Sequence, residues 1–552
     1  MSQGYLAVLL HAHLPYVRHP EHEEFLEEDW LFEAITETYI PLLQTFNRMV
    51  DEGIDFKITM SLTPTLCSML RDPLLQARTV RYIERAISLA KKELERTRHE
   101  PRLNDLAQFY LERFVTCRAL YVDAWRCDLI SQFRKLMERG AIEIITSAAT
   151  HGFLPLMEDF PEAMRAQILI ARDYHRECFG CDPAGIWLPE CAYIPSINKI
   201  LQDANIRWFI LDSHGLMFGK PRPRYAIYTP IFTPTGVAAF ARDRESSKQV
   251  WSAEEGYPGD PAYRDFYRDI GFDAPQEYLA PFLGPDGTRK FTGMKYYRIT
   301  GATDDKDFYR RDWALGAADA HATDFMQSRA RQLAGLTSKT NIDPLVLSPF
   351  DAELFGHWWF EGPEFLNWFL RKSVFDQQTY KLTTPTRYLA DHSTLQVVVP
   401  SASSWGHMGY WEVWLNDTNS WIYPHLHAAA VRMTEVAREN ADLAESVLPS
   451  QSKAVKGARK VKVAKADANP QLMDRALKQL ARELLLAQSS DWAFLMKTGT
   501  ASAYATKRTR DHILRFTKLY EQIKTRKIDK KFLEDLESRD NLFPNINWKY
   551  YV

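Results

Sequence analysis

Seven short apolar runs, each followed by polar or aromatic residues, constrain the fold of this chain more than any other feature. They are Tyr5 to Leu10, Phe56 to Ser61, Ile142 to Thr146, Gly185 to Leu188, Trp208 to Leu211, Leu345 to Ser348 and Leu395 to Val399, with helix-like stretches between them. Short runs of this kind read as strands covered on both faces, and their alternation with helices is the α/β pattern. His11 and His13 follow the first run, Thr63-Pro64 the second, His151 the third and Glu190 the fourth. Asp212 and His214 follow the fifth, Asp351 the sixth and Trp405 the seventh. Polar groups therefore gather at the carboxyl ends of the strands, where parallel α/β folds place their chemistry. A doubly wound sheet shares this property, but many strands feeding one site is easier in a closed or nearly closed barrel.

Two strand ends carry carboxylates. LVLSPFDAELFGHWWF, Leu345 to Phe360, runs from an apolar strand through Pro349 into Asp351, Glu353 and His357, with Trp358, Trp359 and Phe360 beside them. GIWLPECAY, Gly185 to Tyr193, ends its strand at Pro189, and the next residue is Glu190. Acids flanked by flat rings suit sugar chemistry: a retaining glycoside mechanism needs one carboxylate as nucleophile and another carboxyl as acid and then base. The residues alone leave both Asp351 and Glu353 eligible for the second role. His11-Ala12-His13 keeps a rival open, because paired histidines after a first strand also bind zinc in barrels that hydrolyse amides and esters. The abundance of tryptophan and the lack of a distinctive metal-ligand signature elsewhere favour sugar binding.

Composition narrows the partner. Lys plus Arg (69) nearly balance Asp plus Glu (71), a net charge of −2, so no overall field favours nucleic acid or an anionic membrane. Aromatic residues reach 13%, more than packing needs, which points to a stacking surface for an uncharged partner. Six cysteines in 552 residues are too few for a disulfide framework, so a reducing, cytoplasmic setting is expected. Cys178 and Cys181 form a lone C-x-x-C, read as structural thiols, with a redox switch or metal site as the alternative. The N-terminus lacks a basic, signal-like start, and no segment is long and apolar enough to span a bilayer.

Residues 72–139 read as a helical scaffold. The irregular stretch from Cys191 to about Gly256 reads as an insertion with a mobile loop at Arg242 to Lys248, and residues 256–300 as long loops. Strand signals end after Trp411. QLMDRALKQLARELLLAQ has helical periodicity, with Asn469-Pro470 as cap and first turn, and the basic stretch Ser452 to Pro470 reads as a flexible insertion in a helical domain.

HAHLPYV (His11 to Val17), THGFLPL (Thr150 to Leu156), GIWLPECAY, SPFDAELFGHWW and SSWGHMGYWEVWLNDTNSWIY (Ser403 to Tyr423) resemble, in order, the five conserved regions of glycoside hydrolase family 57. QVWSAEEGYPGD (Gln249 to Asp260), the paired histidines and SSDWAFLMKTGTASAYA (Ser489 to Ala505) are most similar to that family's 1,4-α-glucan branching enzymes. The resemblance implies an α/β fold: a pseudo-barrel of seven β/α units with an inserted small domain and a C-terminal all-α domain closing the cleft. The barrel would span 1–190 and 256–404, the insert 191–255 and the helical domain 405–552. It assigns Glu190 as nucleophile and Asp351 as acid/base. His11, His13 and His151 would contact the donor sugar, Trp251, Trp405 and Trp414 would hold glucan, and His357, Trp358 and Asp491 complete the implied binding set. The implied partner is α-1,4-glucan, the implied reaction is transfer to a 6-hydroxyl without metal or cofactor, and the expected state is a monomer or small homo-oligomer. A 4-α-glucanotransferase or α-amylase of the same family is the nearest alternative; a metal-dependent deacetylase or noncatalytic glucan-binding protein is the remote one.

Overall fold

The computed structural model describes residues 4–252, 255–284, 286–301, 303–445 and 469–552. Its strands are β1 (Gly4–Ala12), β2 (Ile58–Leu62), β3 (Ile142–Ile145), β4 (Gly185–Ile186), β5 (Trp208–Leu211), β6 (Ile231–Phe232), β7 (Ala238–Ala241), β8 (Leu345–Asp351) and β9 (Tyr380–Leu382). One sheet has the order β3-β2-β1-β8, with β9 also on β1, and the other the order β4-β5-β7-β6. A parallel bridge between Thr146 and Ile186 joins β3 to β4. On the far side, Asp243 N–H donates to the Leu347 carbonyl at 2.8 Å, and the hydroxyls of Ser246 and Ser348 meet at 2.8 Å. Strands β8-β1-β2-β3-β4-β5-β7 thus form an arc of seven, parallel at each paired step, brought round into a near-closed barrel. This is the seven-unit pseudo-barrel expected from the resemblance.

The two-residue period of a strand sorts the side chains into two cores. Leu6, Val8 and Leu10 of β1, Ile58, Met60 and Leu62 of β2, and Ile142 and Ile144 of β3 face the large core shared with the surrounding helices. Ala7 and Leu9, Ile145, Trp187, Trp208 and Ile210, Ala238 and Phe240, and Leu345 and Leu347 make a separate cluster inside the barrel. Continuing each inner series to the strand's carboxyl end and beyond gives His11 and His13, Ser147, Asp212, Arg242 and Asp351. Polar residues therefore cap the interior column at one end, because these seven strands run parallel and leave the core on the same side.

Three expectations are corrected here. Leu395 to Val399 is not a barrel strand: only Val397 and Val399 make isolated bridges, to Phe232 and Lys220. The seventh place belongs to β7, whose Ala-Ala-Phe-Ala is too weakly β-branched to stand out in sequence. Residues 191–255, expected as an insert, supply β5 and β7 to the barrel sheet. Arg242 to Lys248 runs from the end of β7 into the helix Arg244–Trp251 rather than forming a loop. Asp243 caps that helix by accepting from Ser246 N–H at 2.8 Å, and Arg329 and Gln332 hold its carboxylate at 3.2 and 2.9 Å.

The C-terminal part is helical, as expected: Ile422–Glu439, Pro470–Ala487, Ser490–Thr498, Ser502–Lys524 and Lys530–Arg539. Asn469 caps Pro470–Ala487 through Gln471 N–H at 3.0 Å, with Pro470 in the first turn. Ser490 N–H donates to the His151 carbonyl at 3.0 Å, so the start of Ser490–Thr498 sits on the barrel's polar end. The basic insertion near Lys456 lies outside the described residues. Among the described residues no helix is long and apolar enough to cross a membrane.

Candidate active site

Glu190 stands where β4 ends, in the left-handed region at φ 61°, ψ 24°, and Cys191 follows at φ 49°. A non-glycine backbone is held there only when its surroundings dictate it, and such strain concentrates at functional positions. Here the turn is fixed by Cys191 N–H to the Leu188 carbonyl at 2.8 Å and by Trp405 N–H to the Glu190 carbonyl at 3.1 Å. Each carboxylate oxygen has its own donor: Trp405 Nε1–H reaches Oε2 at 2.9 Å and Ser490 Oγ–H reaches Oε1 at 3.0 Å. Burial raises the Glu190 carboxyl above its ordinary range, a shift that the Trp405 donor opposes and the Asp491 charge reinforces.

Asp351 is the register partner of His11 across β1 and β8, which sets it over the barrel interior beside the histidines. Burial, then the negative charges of Glu353 and Glu190, push its pKa up to about 8. Glu353 is also raised by burial, to about 7, but its position differs. Its Oε1 accepts from Tyr39 Oη–H at 2.5 Å and from His13 N–H at 3.2 Å, so it is anchored in the wall.

The three histidines stack as a group, His13 on His151 at 3.9 Å and His11 on Trp187 at 4.5 Å between ring centroids. Residues at the end of β2 orient two of them: Ser61 lies 3.0 Å from His11 Nδ1, and Thr63 lies 3.1 Å from His13 Nδ1. His11 Nε2 meets His151 Nε2 at 3.2 Å, and Ser490 lies 2.9 Å from His151 Nδ1. Burial lowers the pKa of His11 and His151, and His13 lowers both further, so these rings are neutral. Burial also opposes protonation of His13, but Asp491, 3.0 Å from its Nε2, together with the charges of Glu190 and Glu353, raises that pKa. Donor atoms of His13, His151 and Asp491 lie within 4.8 Å of one another, a set a divalent cation could use. The competing demands on these atoms, Thr63 on His13, His11 and Ser490 on His151, and the His13–Asp491 ion pair, equally describe a hydrogen-bonded floor for sugar hydroxyls.

The structure brings Glu190, Asp351, His11, His13, His151, Trp405 and Asp491 together and separates the rest. Trp405 packs edge-on to Trp187 at 5.1 Å, with the Arg242 guanidinium 5.8 Å from its ring. His357 turns away from the cluster to Glu37, Nδ1 to Oε2 2.6 Å, and Trp358 is half-exposed on the same loop. Trp251 ends the helix Arg244–Trp251 and is 50% exposed. Trp414 corrects an expectation: only 1% exposed, it stacks on Phe153 at 4.5 Å and crowds Gly406, so it has no open face for a sugar.

Residue-by-residue reading missed Tyr39, Glu37 and Ser490. The first two lie on a π-helical turn, Ile35–Tyr39, an insertion that recurs at functional sites and that periodicity does not reveal. Gly356, at φ 121°, lets the Asp351 loop pass this turn, since a Cβ there would meet the Glu37 carbonyl oxygen at 1.9 Å. Ser490 adjoins Asp491 in the SSDW motif, where a hydroxyl next to a binding residue was the available signal.

The profile of Glycosyl hydrolase family 57 matches residues 7–400, and that of 1,4-alpha-glucan branching enzyme, C-terminal, matches residues 453–551. A 1,4-alpha-glucan branching enzyme from Thermococcus kodakarensis is 34% identical over 98% of this chain and 77% of its own. The crystal structure of alpha-amylase AmyC from Thermotoga maritima is 42% identical, with a TM-score of 0.89 over 100% of this chain and 99% of its own. That of the family 57 branching enzyme from Pyrococcus horikoshii is 33% identical, with a TM-score of 0.84 over 100% and 97%. The chain belongs to glycosyl hydrolase family 57.

Proposed function

We propose that this protein is a 1,4-α-glucan branching enzyme that works by a retaining mechanism through Glu190 and Asp351. The observation that carries the chemistry is the unlike environment of the two strand-end carboxyls. Glu190 has a donor on each oxygen, which favours the anion a nucleophile needs, whereas Asp351, at about 8, holds a proton at neutral pH. Glu190 attacks the anomeric carbon; the bond to the glycosidic oxygen breaks, and Asp351 gives that oxygen its proton. The resulting ester no longer carries the Glu190 charge, one of the causes that raise Asp351, so the Asp351 carboxylate becomes easier to keep as a base. It then takes the proton of an acceptor 6-hydroxyl, whose oxygen displaces Glu190 and regenerates both groups. Neutral His11 and His151 and the hydrogen-bonded His13–Asp491 pair offer hydrogen bonds to the sugar hydroxyls at the barrel end.

Branching rather than hydrolysis is favoured by the 34% identical relative and by the match of the C-terminal region to branching enzymes. A second reading, net hydrolysis, rests on the 42% identical structure named as an alpha-amylase. The two readings share both carboxyl roles and differ in whether water or a 6-hydroxyl reaches the ester. We assign the helical part beyond residue 404 as the cover that limits water, since Ser490 and Asp491 enter the site from it. Six free cysteines fit a cytoplasmic setting. Incubation with amylose followed by an α-1,6-specific debranching enzyme separates the readings. New short chains released only after debranching are expected; free sugar with no debranchable product would support hydrolysis.

A further inference from the structure

Beyond the barrel end a cluster of aromatic rings runs on from Trp358, with Trp358, Tyr267 and Phe272 exposed and Phe266 and Phe291 half-buried between them. Trp358, seven residues after Asp351 on one loop, is 51% exposed and stacks on Phe266 at 4.3 Å with 26° between the planes. Phe266 leads to Tyr267 at 5.2 Å and Phe291 at 5.7 Å, and Phe291 to Phe272 at 5.2 Å. Tyr267 is 74% and Phe272 46% exposed. A contiguous exposed aromatic patch of this kind marks a binding surface.

The half-buried rings Phe266 and Phe291 are fixed from below and carry the exposed ones. The Lys295 ammonium lies 4.1 Å from the Phe266 ring centre and 4.3 Å from that of Phe291, and it donates to the Phe266 carbonyl at 2.5 Å. Buried Asp269 accepts from Gly271 and Thr292 N–H at 2.8 and 3.0 Å, pinning the turns on which Phe272 and Phe291 sit. Asp265 holds Tyr267 N–H at 2.8 Å. A surface ordered in advance loses little conformational freedom on binding. Around it lie Arg268, paired with Asp273 at 3.1 Å, Lys306, paired with Asp265 at 3.0 Å, and Arg289, which donates to the Phe272 carbonyl at 3.1 Å: a rim rich in hydrogen-bond donors and acceptors.

We propose that Trp358, Phe266, Tyr267, Phe291 and Phe272 form a secondary α-glucan track that holds a long chain outside the cleft and leads it to the Asp351 loop. Pyranose rings present apolar C–H faces that stack on aromatic rings, while their hydroxyls need an electrically mixed rim. Backbone continuity with the candidate site, Trp358 N–H donating at 3.2 Å to the carbonyl of Glu353, whose carboxylate accepts from His13 N–H, selects glucan over a protein partner as the occupant. The inference rests on the reading of this protein as an α-glucan enzyme. It predicts a substrate-length effect, because a short oligosaccharide fills the cleft without reaching Tyr267 or Phe272.

The test is the double substitution Tyr267→Ala/Phe272→Ala in the full chain, with Tyr267→Phe/Phe272→Tyr as the ring-preserving control. Migration in gels containing amylose measures polymer binding, and cleavage of maltoheptaose measures the cleft. The alanine pair is expected to weaken amylose binding about tenfold and raise KM for amylose, with kcat and KM for maltoheptaose unchanged; the ring-preserving pair retains binding. Unchanged amylose binding in the alanine pair, or equal loss on both substrates, overturns the track. Amylose cleavage by the unaltered protein without retardation overturns the track alone. Absence of both cleavage and retardation overturns the glucan reading and the track with it.

Discussion

Asp351→Asn should remove catalysis and at the same time stabilise the protein, by an amount that depends on pH. The folded pKa is about 8, and an unfolded aspartate titrates near ~3.9. A carboxyl whose pKa is raised by folding contributes stability that is fully present below ~3.9 and lost as pH rises through the folded value of about 8. At pH 7 the gap of roughly 3 pH units corresponds to a ceiling of about 4 kcal/mol, at ~1.36 kcal/mol per unit. Because the Asp351 side chain is partly open to the cleft, a realised gain of about 1–3 kcal/mol is expected. Asparagine has the same shape without the ionisation, so the variant should gain most at pH 7 and less than about 1 kcal/mol near pH 5. Guanidinium unfolding of both proteins at pH 5, 6 and 7 measures the difference. A stability difference that does not change with pH, or that is larger at pH 5, would refute a raised Asp351.

Three further outcomes follow from the same geometry. Glu190→Gln should keep the fold and lose turnover, since the amide still occupies the site of the carboxylate but is no nucleophile; azide should partly rescue Asp351→Ala and not Glu190→Ala on an activated glycoside, and equal rescue would refute the two roles. In kcat/KM the alkaline limb should lie near pH 8, and Glu353→Gln should move it to lower pH, because the Glu353 charge is the second cause that raises Asp351; abolished activity would instead make Glu353 the acid. Activity should survive exhaustive chelation with no stoichiometric metal in the purified protein, and loss restored by a divalent cation would turn His13, His151 and Asp491 into ligands.

Much of the site was legible because strand periodicity and chemistry coincide. In β1 the inward series Ala7, Leu9 continues to His11 and His13, and in β8 Leu345, Leu347 continues to Asp351, so the end of an apolar run marks where side chains leave the core. Glu190 was legible for the same reason, though its left-handed backbone was not, since nothing in PEC demands it locally. The misreadings have physical causes. Arg242 to Lys248 is polar because Arg242 reaches Asp212 at 3.2 Å and Asp243 caps a helix, tasks that look like loop chemistry in one dimension. Trp414 shares a motif with Trp405, but only the latter's indole reaches Glu190; a motif does not say which ring faces in. Tyr39 joins Glu353 across 314 positions of sequence, a separation that local reading cannot bridge.

The central claim is that Glu190 carries the glucan as a covalent ester while Asp351 handles the proton. It is tested most directly by incubating Asp351→Ala with an α-maltosyl fluoride, whose good leaving group needs no acid, and locating the adduct by mass spectrometry of the digested protein. The account predicts that the maltosyl mass accumulates on the peptide containing Glu190, because the base for the second step is missing. An adduct on Glu353 or another residue, or rapid turnover of the fluoride to an inverted product with no adduct, would contradict it.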